Sequence, residues 1–151
     1  MPRKMMRSSP RITRVQLKIN QNNESVLVGI VSSEPDYKLS LALNKKLKIS
    51  LKNVNPLTVT DENGNESAFS RFSDASSSHG TTYDLTSNRS EKNYLIRKLK
   101  NIDYIFQIHN PENSKSADTV ISLLRENESV TAVFNIDIKT LKDKNLHLLI
   151  Q

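Results

Sequence analysis

The sequence contains no cysteine and only three glycines in 151 residues. Without thiols there is no disulfide framework, no thiolate nucleophile and no cysteine-bound zinc. Gly29, Gly64 and Gly80 are too far apart to build a glycine-rich phosphate cradle or a dinucleotide fingerprint. No Gly-x-Ser-x-Gly nucleophile elbow occurs either. No apolar run approaches the length of about 20 residues that a bilayer span needs, so no membrane association is expected. The basic stretch Met1 to Ser9 has no apolar segment behind it, unlike a secretory signal. A reducing, cytoplasmic setting is therefore expected, and the Asn-x-Ser sequons at Asn23, Asn65, Asn88 and Asn127 read as chance. His79, His109 and His147 show none of the local two-histidine spacings of zinc sites. Asp61 to Glu66 resembles a calcium loop, but its glycine falls at the fourth position and not the sixth. No metal and no cofactor is expected.

What the chain does have is positive charge, unevenly spread. The formal net charge is +6. Arg3, Lys4, Arg7, Arg11, Arg14 and Lys18 stand in the first 18 residues without one acid, which leaves the rest of the chain neutral. Four of those six bases stand in a leading arm, residues 1–11, whose prolines, serines and bases show no periodicity and predict disorder. Residues 12–151 are of ordinary single-domain size. With 36% apolar and 25% charged residues the chain as a whole is globular in composition.

The apolar periodicity of that domain is mixed. Val15, Leu17 and Ile19 alternate with polar residues and predict a strand. Val26 to Val31 is apolar on both faces, the pattern of a central strand in a covered sheet. Ser33 as cap, Pro35 in the first turn and Asp36 three residues on predict a helix start. Leu39, Leu43 and Leu47, joined by Tyr37 and Leu41, then make one broad stripe to pack on the sheet. Tyr37, Leu39, Leu41 and Leu43 also alternate as a strand would, but the capping signal and the segment length favour helix. Ile49 and Leu51 predict a short strand. The Asn63-Gly64 pair predicts a hairpin between Leu57–Thr60 and Ala68–Ser73, with Thr81–Thr86 returning as another strand. Ile102, Tyr104, Phe106 and Ile108 predict a strand, and Ala117, Val120, Ile121 and Leu124 a helix. Val130 to Ile138, and then Leu146, Leu148 and Ile150, predict two final strands. The fold class is α+β: one mainly antiparallel sheet carrying two helices, with the ferredoxin-like order plus extra strands as the closest topology.

Leu27 to Lys45, Leu85 to Asn88 and Ile96 to Ile108 together resemble the bacterial IPExxxVDY family. The motif appears here as Ile96-Arg97-Lys98-Leu99-Lys100-Asn101-Ile102-Asp103-Tyr104. Ile96, Asp103 and Tyr104 match it, Ile102 replaces the valine, and Arg97-Lys98 stands in place of Pro-Glu. The resemblance runs from about Val15 to the end of the chain. The family is uncharacterised, so the resemblance implies a cytoplasmic α+β protein and assigns no catalytic residue.

Two Asp-Tyr pairs, Asp36-Tyr37 and Asp103-Tyr104, are the candidate site positions. A carboxylate beside a phenol could orient a ligand or move a proton. The simpler expectation is that Asp36 caps a helix, Asp103 opens a strand and both tyrosines are core. Lys45, Lys46 and Lys48, together with Arg97 and Lys98 and the arm, could contact the phosphates of a nucleic acid. Eight aromatics, mostly at core-periodic strand positions, do not form a base-stacking platform. The expected function is a non-enzymatic binding or adaptor domain with a protein partner or a second copy of itself. The alternatives are an RNA- or DNA-binding accessory protein and a small enzyme with a dispersed carboxylate–histidine site around Asp36, Asp103 or His109.

Overall fold

A computed structural model describes residues 25–76 and 80–149. The basic arm, the expected strand over Val15–Ile19, His79 and Ile150 lie outside the described residues. Within them the order is β1 (Ser25–Val31), α1 (Asp36–Leu47), β2 (Lys52–Thr60), β3 (Glu66–Asp74), β4 (Thr82–Ser87), β5 (Arg89–Ser90), β6 (Asn93–Tyr94), β7 (Tyr104–His109), α2 (Ser114–Glu126) and β8 (Ala132–Ile136). Short 3-10 turns cover Arg97–Leu99 and Leu146–Leu148.

Six strands form one antiparallel sheet in the order β2-β3-β4-β7-β1-β8, and β5 pairs with β6 apart from it. Both β7 and β8 run against β1, which lies between them, so β7–α2–β8 is a split βαβ unit. Adding β4 beside β7 completes a ferredoxin-like core, and the β2–β3 hairpin extends the sheet beyond it. That hairpin closes where the Asn63-Gly64 pair predicts. Gly64 has φ +84°, and the Asp61 carboxylate accepts the backbone N–H groups of Asn63 at 2.9 Å and Asn65 at 2.8 Å.

Side chains alternate across a strand, so each central strand feeds two layers. Val28 and Ile30 of β1, and Tyr104, Phe106 and Ile108 of β7, face the helices and meet Leu39, Leu43, Ala117, Ile121 and Leu124. Leu27 and Ile105 face the other way, onto Leu95, Ile96, Ile102, Leu146 and Leu149. The helices thus cover one face, while the chain between β4 and β7 and the C-terminal tail cover the other. Gln107, almost fully buried, donates its side-chain N–H to the Leu149 carbonyl at 2.6 Å and pins that tail to the sheet.

Several expectations are corrected. Leu146 and Leu148 belong to a 3-10 turn and not to a strand: three residues per turn places Leu146 and Leu149 on one side, and both are buried. Ile49 and Leu51 precede β2 and pair with no strand among the described residues. Leu51 is instead held by Asn44, which accepts its N–H at 2.7 Å and donates to its carbonyl at 3.1 Å. Ile102 lies outside β7 and packs under the second face, not with Tyr104, Phe106 and Ile108. Helix α1 starts at Asp36 without a side-chain cap from Ser33, because the Ser32 hydroxyl accepts the Glu34 N–H and Pro35 occupies the N-cap. Only Leu39, Ser40 and Leu43 of α1 are buried; Tyr37 and Leu41 point to solvent.

Candidate functional site

The segment carrying the family-like motif is folded around one side chain from outside it. Asn88, fully buried, accepts the Ile96 N–H at 2.8 Å and donates to the carbonyls of Leu99 at 2.9 Å and Ile102 at 3.1 Å. Its backbone adds bonds at 2.9 Å to Asp103 and from Leu95. An uncharged amide offers two N–H donors beside a carbonyl acceptor, enough to serve one N–H and two carbonyls of this irregular stretch, whose backbone no strand among the described residues satisfies. Ile96 and Ile102 are thereby held in the core beneath β1, while Arg97 and Lys98 project from the 3-10 turn into solvent.

Asp103 and Tyr104 tie this segment to the turn that launches α1. The Asp103 carboxylate accepts the Ser32 N–H at 2.9 Å through one oxygen and meets the Arg89 guanidinium at 3.0 Å through the other. The Asp103 N–H in turn donates to the Ile30 carbonyl at 2.9 Å. The Tyr104 hydroxyl donates to the Glu34 carbonyl at 2.7 Å. Burial, reinforced by the negative charges of Asp36, Asp103 and Glu34, pushes the Tyr104 phenol up to about 12. Both groups are committed to backbone partners, so the pair positions α1. Asp36 and Tyr37 are not part of that cluster: Asp36 accepts its neighbour's N–H at 2.7 Å, and Tyr37 is 55% exposed. The expectations that Asp36 caps the helix through its side chain and that Tyr37 is core are both corrected.

A second polar group spans the end of the sheet on the face away from the helices. His109 of β7 lies 3.2 Å from the Ser25 hydroxyl through Nδ1 and 2.7 Å from the Asp84 carboxylate through Nε2. The Ser73 hydroxyl also donates to Asp84. Burial works to raise the Asp84 carboxyl, but the bonds from His109 and Ser73 and the charge of Arg71 outweigh it and hold it below the usual range. A serine, a histidine and a carboxylate in a row can in principle relay a proton. Here each comes from the sheet itself: Ser25 of β1 stands directly opposite His109 of β7, and Asp84 of β4, the register partner of Gln107, reaches His109 diagonally. A groove of about 900 Å³ opens on the opposite, helical face, between Val26, Ala117, Ile121 and Asn135.

The basic candidates do not converge. Lys45, Lys46 and Lys48 stand at the C-terminal end of α1, on the helical face, and Lys46 is engaged by Glu126 at 3.4 Å. Arg97 and Lys98 lie on the other face of the sheet. Arg3, Lys4, Arg7, Arg11 and Arg14 are outside the described residues. Among the described residues no group of three or more histidines and acids is placed to hold a metal ion. No helix among them is long and apolar enough to cross a membrane.

Two features escaped the sequence reading. Asn88 stood only as a chance sequon, and an isolated asparagine between a strand and a turn carries no pattern that announces a buried hub. The outward face of α1 was hidden because Tyr37 and Leu41 fit the apolar stripe as well as Leu39 and Leu43 do. Against known proteins, the chain matches no family model and no curated sequence.

Proposed function

We propose that this chain is a non-enzymatic binding domain of the cytoplasm that acts through protein–protein contacts made by α1. The observation that carries the reading is the pair Tyr37 and Leu41, 55% and 64% exposed, one turn apart on the outer surface of a helix. Single exposed apolar residues are ordinary, but two large ones at i and i+4 make a joint patch on a rigid element. The inner face of the same helix is fully occupied by the sheet, and its start is fastened by the bonds from Asp103 to Ser32 and from Tyr104 to Glu34. A surface fixed in advance loses less freedom on binding. In this reading Ile96, Ile102, Asp103 and Tyr104 are scaffold, consistent with membership of the IPExxxVDY family, and Tyr37 is contact surface.

The test is affinity capture from native lysate, with and without nuclease, using the full chain and a Leu41→Ser variant. Capture of a defined protein, insensitive to nuclease and lost in the variant, supports the reading. Capture that nuclease abolishes, indifferent to Leu41→Ser but lost on Lys45→Glu/Lys48→Glu, would replace it with nucleic-acid binding.

A further inference from the structure

The outward face of α1 is basic around its apolar pair. With about 3.6 residues per turn, Tyr37, Leu41, Lys45 and Lys38 fall within one arc of about 100° on the helix. All four are exposed, and Leu39, Ser40 and Leu43 are buried on the opposite side. No acid shares that arc. Asp36, seven residues before Leu43, falls on the inward side of the helix. On the flank towards α2, Glu126 is engaged by Lys46 at 3.4 Å. Lys38 and Lys45 make no ion pair with another described residue. Beyond the helix the same sign continues: from Tyr37 to Thr60 the chain carries Lys38, Lys45, Lys46, Lys48 and Lys52 and no acid.

Such a face sets two requirements for whatever covers it. Tyr37 and Leu41 leave water only under apolar side chains, and the unpaired lysines call for negative charge. A second α1 brings the same positive charge and is repelled. A nucleic acid supplies the charge but leaves Leu41 without apolar cover, and one exposed aromatic is no stacking platform. We infer that the outer face of α1 is the docking site of an acidic amphipathic segment of another protein. Large apolar side chains of that segment cover Tyr37 and Leu41, and its carboxylates stand over Lys38 and Lys45. The lysine stems extend the apolar contact while their ammonium groups stay at its wet rim. Ion pairs at such a rim add little affinity each, so the apolar pair holds the partner and the lysines select it. This inference rests on the protein-contact reading and names the chemistry of the partner.

Selection from a displayed library of random peptides, each long enough for about four helical turns, on the immobilised full chain tests it. The recovered peptides are expected to be rich in Asp and Glu with large apolar residues among them. With the tightest of these as a labelled probe, Leu41→Ser is expected to lower affinity at least about tenfold, the scale of removing one central contact. Lys38→Glu/Lys45→Glu is expected to do the same at low salt, with a loss that shrinks as salt rises, and to select basic apolar peptides in its own right. All the substituted side chains are exposed, and a circular dichroism spectrum matching wild type separates lost contact from lost fold. Peptides without acidic enrichment that still depend on Leu41 overturn the acidic partner and leave the protein-contact reading standing. No peptide, or none that depends on Leu41, sinks both. A labelled single-stranded oligonucleotide that binds wild type, ignores Leu41→Ser and is lost in Lys38→Glu/Lys45→Glu gives the face to nucleic acid and overturns both as well.

Discussion

Asn88 and Ile96, eight residues apart, are locked together inside the protein: the asparagine Oδ1 accepts the isoleucine N–H at 2.8 Å, with both residues fully buried. The same amide donates to two further carbonyls, so the stretch from Leu95 to Asp103 is organised from one side chain. Replacing it by alanine strands a donor and two acceptors in the core. Each unsatisfied buried group costs about 1–3 kcal/mol, so Asn88→Ala should lose on the order of 3–5 kcal/mol in urea unfolding. Asn88→Asp should fare no better, because a carboxylate cannot donate to the Leu99 and Ile102 carbonyls. A loss under about 1 kcal/mol for either would show that the loop is held by its apolar contacts alone.

Gly29 sits in β1 where a Cβ would come within 2.8 Å of the Ile102 Cδ1. Gly29→Ala is therefore expected to destabilise by about 1–3 kcal/mol through overpacking. Ile102→Val removes that Cδ1, so the double variant should be more stable than the sum of the single changes predicts. Additive losses in thermal or urea unfolding would place the strain elsewhere.

The phenol of Tyr104, raised to about 12, makes stability fall with alkali. A group whose folded pKa lies above its unfolded value of about 10 contributes stability fully below pH 10 and loses it as pH rises towards 12. Tyr104→Phe lacks both the bond to Glu34 and this titration. The variant should be less stable than wild type at pH 8, and the gap should close between pH 10 and 12. A gap that stays constant would mean the phenol is not desolvated.

Asp84 gives the opposite sign at the acid end. Its carboxyl is held below the ordinary range, so its contribution is present above pH ~4 and is lost as pH falls through the lowered value. Asp84→Asn should destabilise at neutral pH, where the bond to His109 is lost, and the difference from wild type should shrink under acid. Unfolding midpoints measured from pH 7 down to 2.5 check this, and an unchanged difference would remove Asp84 from the acid response.

How much of this was legible in the sequence depends on how local the cause is. Asn63-Gly64 fixed a hairpin because a tight turn with positive φ is a property of adjacent residues. The two-faced apolar pattern of Val26–Val31 announced a central strand, since a strand covered on both sides has no polar face to show. The candidate surface was half legible. Tyr37 was marked as a position to inspect, but its exposure follows from how α1 rolls on the sheet, which the spacing of leucines alone does not fix.

By itself, then, the sequence determined the α+β class, the positions of both helices and the hairpin, because periodicity and turn chemistry act over a few residues. Only the tertiary structure decided that Asn88 would organise the motif segment and that Leu146–Leu148 would coil and not extend. It alone turned Leu41 outwards while burying Leu39 and Leu43. Those outcomes depend on which surfaces meet across distances in the chain, and burial on one side of a helix is set by its partner and not by its own order of residues.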